Sequence, residues 1–169
     1  CTAECYYCGI RRSNRAPQRY TLRLDEIVAT ARWCGEQGYG SVVLQAGERR
    51  DAKFTCFVSD AVRAIKAQTR SAELPNGVGI TLCVGEQSAA TYAEWFAAGA
   101  HRYLLRMETS SPGLFAALHP ERQSWAARVA CLKTLKALGY RVGTGVMIGL
   151  PGQTLDNLVD DLFFFRDIG

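Results

Sequence analysis

The stretch GYGSVVLQAGE, residues 38–48, holds the pattern on which the prediction of the fold depends. Gly38 and Gly40 end a preceding segment whose apolar residues recur at helical spacing, because glycine readily leaves the helical conformation. The apolar run within residues 41–45 is typical of a strand buried on both faces of a sheet. A polar turn with a glycine and a carboxylate follows it. Helix, buried strand and polar turn together are one unit of a parallel sheet covered by helices.

The same unit recurs to the end of the chain and predicts an α/β fold. Periodicity and turn residues predict helices at 21–37, 54–68, 88–98, 122–138 and 154–167, and strands at 41–45, 78–84, 102–106 and 141–148. These elements amount to about five units of a partial TIM-type (β/α) barrel, with parallel strands inside and helices outside. We expect residues 1–169 to be one core domain, an excerpt whose first strand and last barrel units lie beyond it.

Composition excludes several classes of protein. With 169 residues, of which 48% are hydrophobic and 21% charged, the chain resembles one soluble globular domain. Its net charge is only +4, and we interpret Lys and Arg as scattered through helical stretches, which gives no case for nucleic acid. A small anionic substrate or cofactor fits the same balance. No apolar stretch approaches the roughly 20 residues of a membrane span, so no membrane contact is expected.

The chain has seven cysteines, and only three of them are clustered. An odd, mostly dispersed set argues against a secreted disulfide framework and predicts a reducing, cytoplasmic location. The four isolated cysteines are predicted to be small buried hydrophobes: Cys34, Cys56, Cys83 and Cys131.

The clustered cysteines form the motif C-x-x-x-C-x-x-C at Cys1, Cys5 and Cys8. Three soft thiolates on one loop suit iron and sulfur, and in a 4Fe-4S cluster they leave one iron open to a further ligand. The alternative is a structural zinc site. Zinc needs four ligands, and neither His101 nor His119, both interpreted as structural, lies near the motif in sequence.

Tyr7 stands directly before the third cysteine, and with it the loop resembles the radical S-adenosylmethionine superfamily, in which an aromatic residue at this position lies near the adenine. The resemblance implies that S-adenosylmethionine binds the open iron through its amino and carboxylate groups. It also implies that one electron from a reducing donor breaks the sulfonium bond, yielding methionine and a 5'-deoxyadenosyl radical. The cofactors would carry the chemistry, and the barrel would orient them.

Polar residues follow each predicted strand, at the end where β/α barrels build their active sites. Gly47 and Glu48 could approach a ligand by backbone and carboxylate, although a simple polar turn is the alternative. Arg106 and Glu108, two residues apart, are predicted to point together into the barrel. A local salt bridge between them is the alternative.

Longer segments narrow the resemblance: LQAGE, TLCVGE, RYLLRMETSSP, LHP and MIGLPGQT are similar to HydE-type maturases of FeFe-hydrogenase. Biotin synthase and methylornithine synthase share the barrel and the cluster motif. The resemblance implies two sets of binding residues: Gly47, Glu48, Glu108 and Arg128 for S-adenosylmethionine, and Gln45, Thr81 and Arg106 for the substrate, with Thr81 and Arg106 on its carboxylate. For Arg128 the alternative is a solvated helix arginine. For the glycines of loop 149–154 the alternatives are backbone approach to adenine or ribose and a plain tight turn.

The chain departs from the HydE pattern at Ala46, Arg49 and Met107, which concerns the substrate end of the cavity. We predict a radical S-adenosylmethionine enzyme that acts on a small cysteine-derived, iron-bound substrate in assembly of the hydrogenase di-iron site, together with other maturation proteins. The alternatives are an activity like that of biotin synthase or methylornithine synthase, and a non-catalytic iron-sulfur or zinc protein.

Overall fold

The computed structural model describes residues 1–168 and consists of four strands and six helices. In chain order they are α1 Leu24–Glu36, β1 Ser41–Gln45, α2 Ala52–Gln68, β2 Gly79–Cys83, α3 Ala89–Ala98, β3 Arg102–Leu104, α4 Pro112–Leu118, α5 Trp125–Ala137, β4 Arg141–Gly143 and α6 Leu155–Ile168. All strand pairs are parallel, and the order in the sheet is β1-β2-β3-β4. Each strand therefore lies beside the next one in sequence, as in the wall of a β/α barrel.

The predicted strands and the five predicted helices are all present, but three strands are shorter than predicted. β2 loses one residue at each end. β3 and β4 end at Leu104 and Gly143, after which one isolated parallel bridge joins Glu108 to Val146. Beyond these residues the two segments no longer pair regularly. The polar residues of 105–109 and 144–148 therefore lie in loops.

Helix α4 was not predicted. Its seven residues are too few to display a helical period, yet its first turn carries strong start signals. The Ser111 side chain accepts a hydrogen bond from the Leu114 backbone N–H, and Pro112 occupies the first helical position. This short helix leads directly into the turn that contacts the cysteine motif.

Burial alternates along the strands and defines two faces of the sheet. On β2, Ile80 and Leu82 are buried under the helices, whereas Thr81 and Cys83 on the opposite face are half-buried. The helix-side core is completed by aromatic rings, among them Tyr92, Trp95, Tyr103 and Tyr140. We call the other side, on which Val43 is 58% exposed, the open face. In a β/α barrel this face points inward.

Two compositional expectations were wrong. Cys56 lies exposed on the solvent side of α2, while the other three isolated cysteines are half-buried. Arg11, Arg12, Arg15, Arg19 and Arg23 all precede α1 in non-helical chain, so the basic residues are not spread mainly through helices. Within residues 1–168, no helix combines the length and the apolar character needed to cross a membrane.

Candidate active site

The cysteine loop, residues 1–8, is hydrogen bonded to the carboxyl end of β1. The backbone N–H and hydroxyl of Thr2 both donate to the carbonyl of Glu48, at 2.8 and 3.0 Å. At Gly47 an added Cβ would lie 2.7 Å from the Cβ of Cys1, closer than nonbonded carbon atoms approach. Only glycine therefore allows Cys1 to approach the strand end so closely.

The other side of the loop is held by the turn between α4 and α5, which we call the 118–124 turn. The Tyr6 backbone N–H donates to the carbonyl of Leu118 at 2.9 Å. Gln123 accepts from the Glu4 N–H at 3.0 Å and donates to the Cys5 sulfur at 3.4 Å. The loop is thus fixed between β1 and a segment more than one hundred residues away in sequence.

The three loop thiols suit an iron-sulfur cluster by their chemistry and position. Cys1, Cys5 and Cys8 are free and half-buried, and the Cys8 N–H closes a turn on the Cys5 carbonyl at 3.0 Å. In residues 1–168, no three His, Cys, Asp or Glu side chains converge around a point that could hold a single metal ion. Three thiolates on one loop are the donors that a four-iron cluster binds, each on a separate iron, so the donor set fits that group.

Tyr7 lies beside His119, which sequence reasoning regarded as structural only. The Tyr7 hydroxyl is 3.4 Å from Nε2 of His119, and the two rings meet edge to face. Nδ1 of His119 lies 2.9 Å from the carbonyl of Phe115 and must donate to it, because a carbonyl only accepts. Burial lowers the pKa of His119 and raises that of Tyr7, so both rings stay neutral at pH 7. His119 therefore orients Tyr7, a role with no signal in local sequence.

Arg128 is buried, so the solvated-arginine alternative is wrong. Its Nε donates to Glu86 at 2.6 Å, an Nη donates to the carbonyl of Arg106 at 2.8 Å, and its guanidinium lies over the Phe115 ring. Burial alone would lower the pKa of Arg128, but Glu86, together with Glu48 and Tyr7, outweighs burial and raises that pKa. The arginine is permanently charged at the site.

Glu86 connects Arg128 to the end of β1. Its second oxygen pairs with Arg50 at 3.1 Å, and its backbone N–H donates to Glu48 at 2.9 Å. A Cβ at Gly85 would lie 2.5 Å from the Glu48 carboxylate, so this approach also requires glycine. Glu86 thus links Glu48 to Arg128, two residues that were predicted to bind the same cofactor. The sequence places Glu86 at the end of a predicted strand but indicates no role for it.

Glu108 is buried in an unusual backbone conformation. It is 7% exposed, and its φ of 69° is left-handed, which is costly for a residue with a side chain. Its N–H donates to the Gly145 carbonyl, and its own carbonyl accepts from the Met147 N–H. These two hydrogen bonds hold the conformation. Burial raises the pKa of Glu108, against the opposing effects of Tyr7, Arg106 and Arg128.

The prediction that Arg106 and Glu108 lie on one strand is wrong, because both follow the end of β3, but both charges act on the pKa of Cys83 on the open face. β3 ends at Leu104, and the left-handed turn at Glu108 buries its side chain while Arg106 stays exposed. Among the described residues, no salt bridge joins the two, so the salt-bridge alternative is not observed either. Each of these charges is available to a separate ligand.

The predicted substrate residues lie along the open face. Gln45 is the last residue of β1 and pairs with Cys83 of β2. Thr81 pairs with Val43 and lies four residues before Gly85, nearer the start of β2. Arg106 continues from β3 on the same alternation, and it acts on the pKa of Cys83, which burial raises. These side chains share a face but lie at different levels of it.

Of the three departures from the HydE pattern, Met107 belongs to the helix-side core, whereas Arg49 is partly exposed just before α2. Met107 is fully buried in the core, and its N–H donates to the Thr144 hydroxyl at 3.2 Å. Arg49 is held by both oxygens of Asp51 and lies over the Phe54 ring. Ala46, the third departure, directly follows β1 and is exposed.

The loop 149–154 forms a tight turn closed by its own glutamine. Gln153 accepts from the N–H groups of Gly149 and Leu150 and donates to the Met147 carbonyl. Gly149 and Gly152 have left-handed φ values of 86° and 77°, and space beside both is open. The turn itself requires these glycines, and the open space beside them is compatible with both predicted alternatives.

A parallel sheet covered by helices, with polar groups at the carboxyl ends of its strands, places the chain in the β/α-barrel class, whose enzymes build their active sites at this edge. The profile of the Radical SAM superfamily matches residues 1–165, and the chain belongs to this superfamily of enzymes, whose members use a 4Fe-4S cluster and S-adenosylmethionine. Both the family and the cofactors agree with the sequence prediction.

Individual relatives place the chain within the superfamily. It is 45% identical over 168 residues to the FeFe-hydrogenase maturase subunit HydE of Thermotoga maritima, covering 99% of this chain and 45% of that protein. It is 30% identical to the biotin synthase of Streptomyces coelicolor, covering 99% of this chain and 40% of that protein. The chain thus spans less than half the length of these two relatives.

Solved structures share the fold. Methylornithine synthase PylB superposes with a TM-score of 0.77 at 22% identity, covering 99% of this chain and 47% of that one. The maturase HydG of Carboxydothermus hydrogenoformans superposes with a TM-score of 0.81 at 21% identity, covering 99% and 39%.

Proposed function

We propose that residues 1–169 form the cofactor-binding part of a HydE-like radical S-adenosylmethionine enzyme that acts on a small cysteine-derived, iron-bound substrate in FeFe-hydrogenase maturation. The observation that carries the proposal is the docking of the cysteine loop onto β1 through Gly47, beside the buried Glu86–Arg128 pair. The 45% identity to HydE supports the maturation role. When bound, the cluster and S-adenosylmethionine supply reductive cleavage to methionine and a 5'-deoxyadenosyl radical.

The chain's own residues have distinct binding tasks in this proposal. Cys1, Cys5 and Cys8 hold the cluster, and Tyr7, oriented by His119, lies along the adenine. Gly47 and Glu48 receive the methionine ammonium group, since a carboxylate is the natural partner of that cation.

Arg128 and Glu108 bind the remaining polar groups of the cofactor. Glu86 and the Arg106 carbonyl occupy Nε and one Nη of Arg128, so its other Nη is the donor left for the methionine carboxylate. On the open face, Gln45, Thr81 and Arg106 bind the substrate, with Thr81 and Arg106 on its carboxylate.

We place the protein in a reducing cytoplasm, because all seven cysteines are free. A reducing electron donor and the other hydrogenase maturation proteins are its proposed partners. The likeness to biotin synthase favours one other candidate substrate class, the precursor of an organic cofactor.

The test uses full-length protein reconstituted anaerobically with iron and sulfide. We expect four irons and four sulfides, and release of 5'-deoxyadenosine on addition of reductant and S-adenosylmethionine. Ala substitutions of Cys1, Cys5 or Cys8 should abolish both, whereas Cys34→Ala, away from the loop, should preserve both.

Three results would change the proposal. One zinc without sulfide would make this a zinc protein, and a cluster that neither binds nor cleaves S-adenosylmethionine would make it a non-catalytic iron-sulfur protein. An active enzyme that restores biotin synthesis but not hydrogenase maturation in deletion strains would move the substrate to the biotin class.

A further inference from the structure

Gln123 contacts the cysteine loop with both ends of its side-chain amide. The Glu4 backbone N–H can only donate, so the atom 3.0 Å from it must be the amide oxygen. The amide nitrogen is thereby directed to the sulfur of Cys5, 3.4 Å away. The orientation follows from the partners and not from an arbitrary choice between oxygen and nitrogen.

The backbone around Gln123 is held firmly. Its N–H donates to the Pro120 carbonyl at 2.8 Å, and the next residue, Ser124, caps α5 by accepting from Ala127. The Tyr6–Leu118 hydrogen bond joins the same turn to the loop a second time. Gln123 therefore presents its N–H to Cys5 from a preorganised position.

We propose that Gln123 is a positioning residue that raises the reduction potential of the cluster by donating a hydrogen bond to the Cys5 thiolate. This rests on the proposed function, since it requires the cluster. Reduction adds one negative charge to the cluster and its thiolates, and an N–H directed at a thiolate stabilises the more negative state. Removal of the donor should make the cluster harder to reduce.

The experiment is a potentiometric titration of the reconstituted full-length protein, with the reduced cluster followed by electron paramagnetic resonance. Gln123→Leu removes both hydrogen bonds, whereas Gln123→Glu keeps an acceptor for the Glu4 N–H and places an oxygen and a negative charge toward the sulfur. Gln68→Leu, at an exposed position on α2, is the matched control. Iron and sulfide are measured in every sample.

We expect the potential to fall from wild type to Gln123→Leu and further in Gln123→Glu. The expected decrease for Leu is at least tenfold in the ratio of reduced to oxidised cluster, or 59 mV for one electron. The control should match wild type. An unchanged potential in Gln123→Glu at full iron content would overturn the proposal, whatever the iron content of Gln123→Leu. A wild-type protein without a cluster would instead refute the proposed function.

Discussion

Arg128 on α5 and Glu86 after β2 form a buried ion pair of 2.6 Å, with side chains 8% and 11% exposed. A buried pair repays its desolvation only through good geometry and further hydrogen bonds, and both residues have them: Arg128 also donates to the Arg106 carbonyl, and Glu86 also pairs with Arg50. The pair holds a helix against a strand end at the edge where the cysteine loop docks.

Glu86→Ala should lower the free energy of unfolding by about 3 to 5 kcal/mol, because it leaves the Arg128 charge buried without its partner. The measurement is urea unfolding of the protein without cluster. Asp60→Ala, which breaks the exposed Asp60–Arg63 pair, should cost less than about 1 kcal/mol. Equal losses in the two variants would mean that Glu86 is no more than a surface partner.

Gly47→Ala should weaken cluster binding while leaving the sheet intact. The new Cβ would meet Cys1 at 2.7 Å, so the cysteine loop must move away from β1. Overpacking of this kind costs about 1 to 3 kcal/mol. We expect reduced iron and sulfide content after reconstitution, with an unchanged circular dichroism spectrum. Gly40→Ala, where no atom lies within 4 Å of the new Cβ, serves as the control and should bind the cluster normally.

Arg106→Ala should impair one activity of the enzyme, whereas Glu108→Gln should impair two. If exposed Arg106 binds the substrate and buried Glu108 the cofactor, Arg106→Ala weakens substrate turnover but spares substrate-free cleavage of S-adenosylmethionine, whereas Glu108→Gln impairs both. A charge-assisted contact contributes about 1.5 to 3 kcal/mol, so the affected affinity should fall about tenfold or more. Equal damage to both activities by Arg106→Ala in a normally folded protein would contradict this division.

Stability should fall as the pH drops below about 6.5, the ordinary pKa of histidine, because the folded state lowers the pKa of His119. Between the folded and the unfolded pKa the unfolded chain binds more protons, so acid favours unfolding. His119→Asn should remove this part of the pH dependence in urea unfolding. His101→Asn, at an exposed ring, should retain it. A pH profile unaltered by His119→Asn would show that His119 does not titrate in this way.

Local pattern was enough to predict the βα alternation and the cysteine motif. The run at residues 41–45 became β1 with the predicted bounds, since apolar periodicity and flanking glycines act over a few residues. Helix α4 was missed because its seven residues are too short to show a period. β3 was predicted two residues too long because no local sequence signal indicates the left-handed turn at Glu108.

The sequence by itself determined the class of fold, the cysteine motif and the strand ends at which polar residues gather. Only the tertiary structure decided which partners those residues have: His119 beside Tyr7, Gln123 on Cys5, Glu86 on Arg128, and Met107 inside the core. The reason is physical. Helical and strand preferences are properties of neighbouring residues, whereas these contacts join residues from 42 to 118 positions apart and exist only once the helices have packed on the sheet.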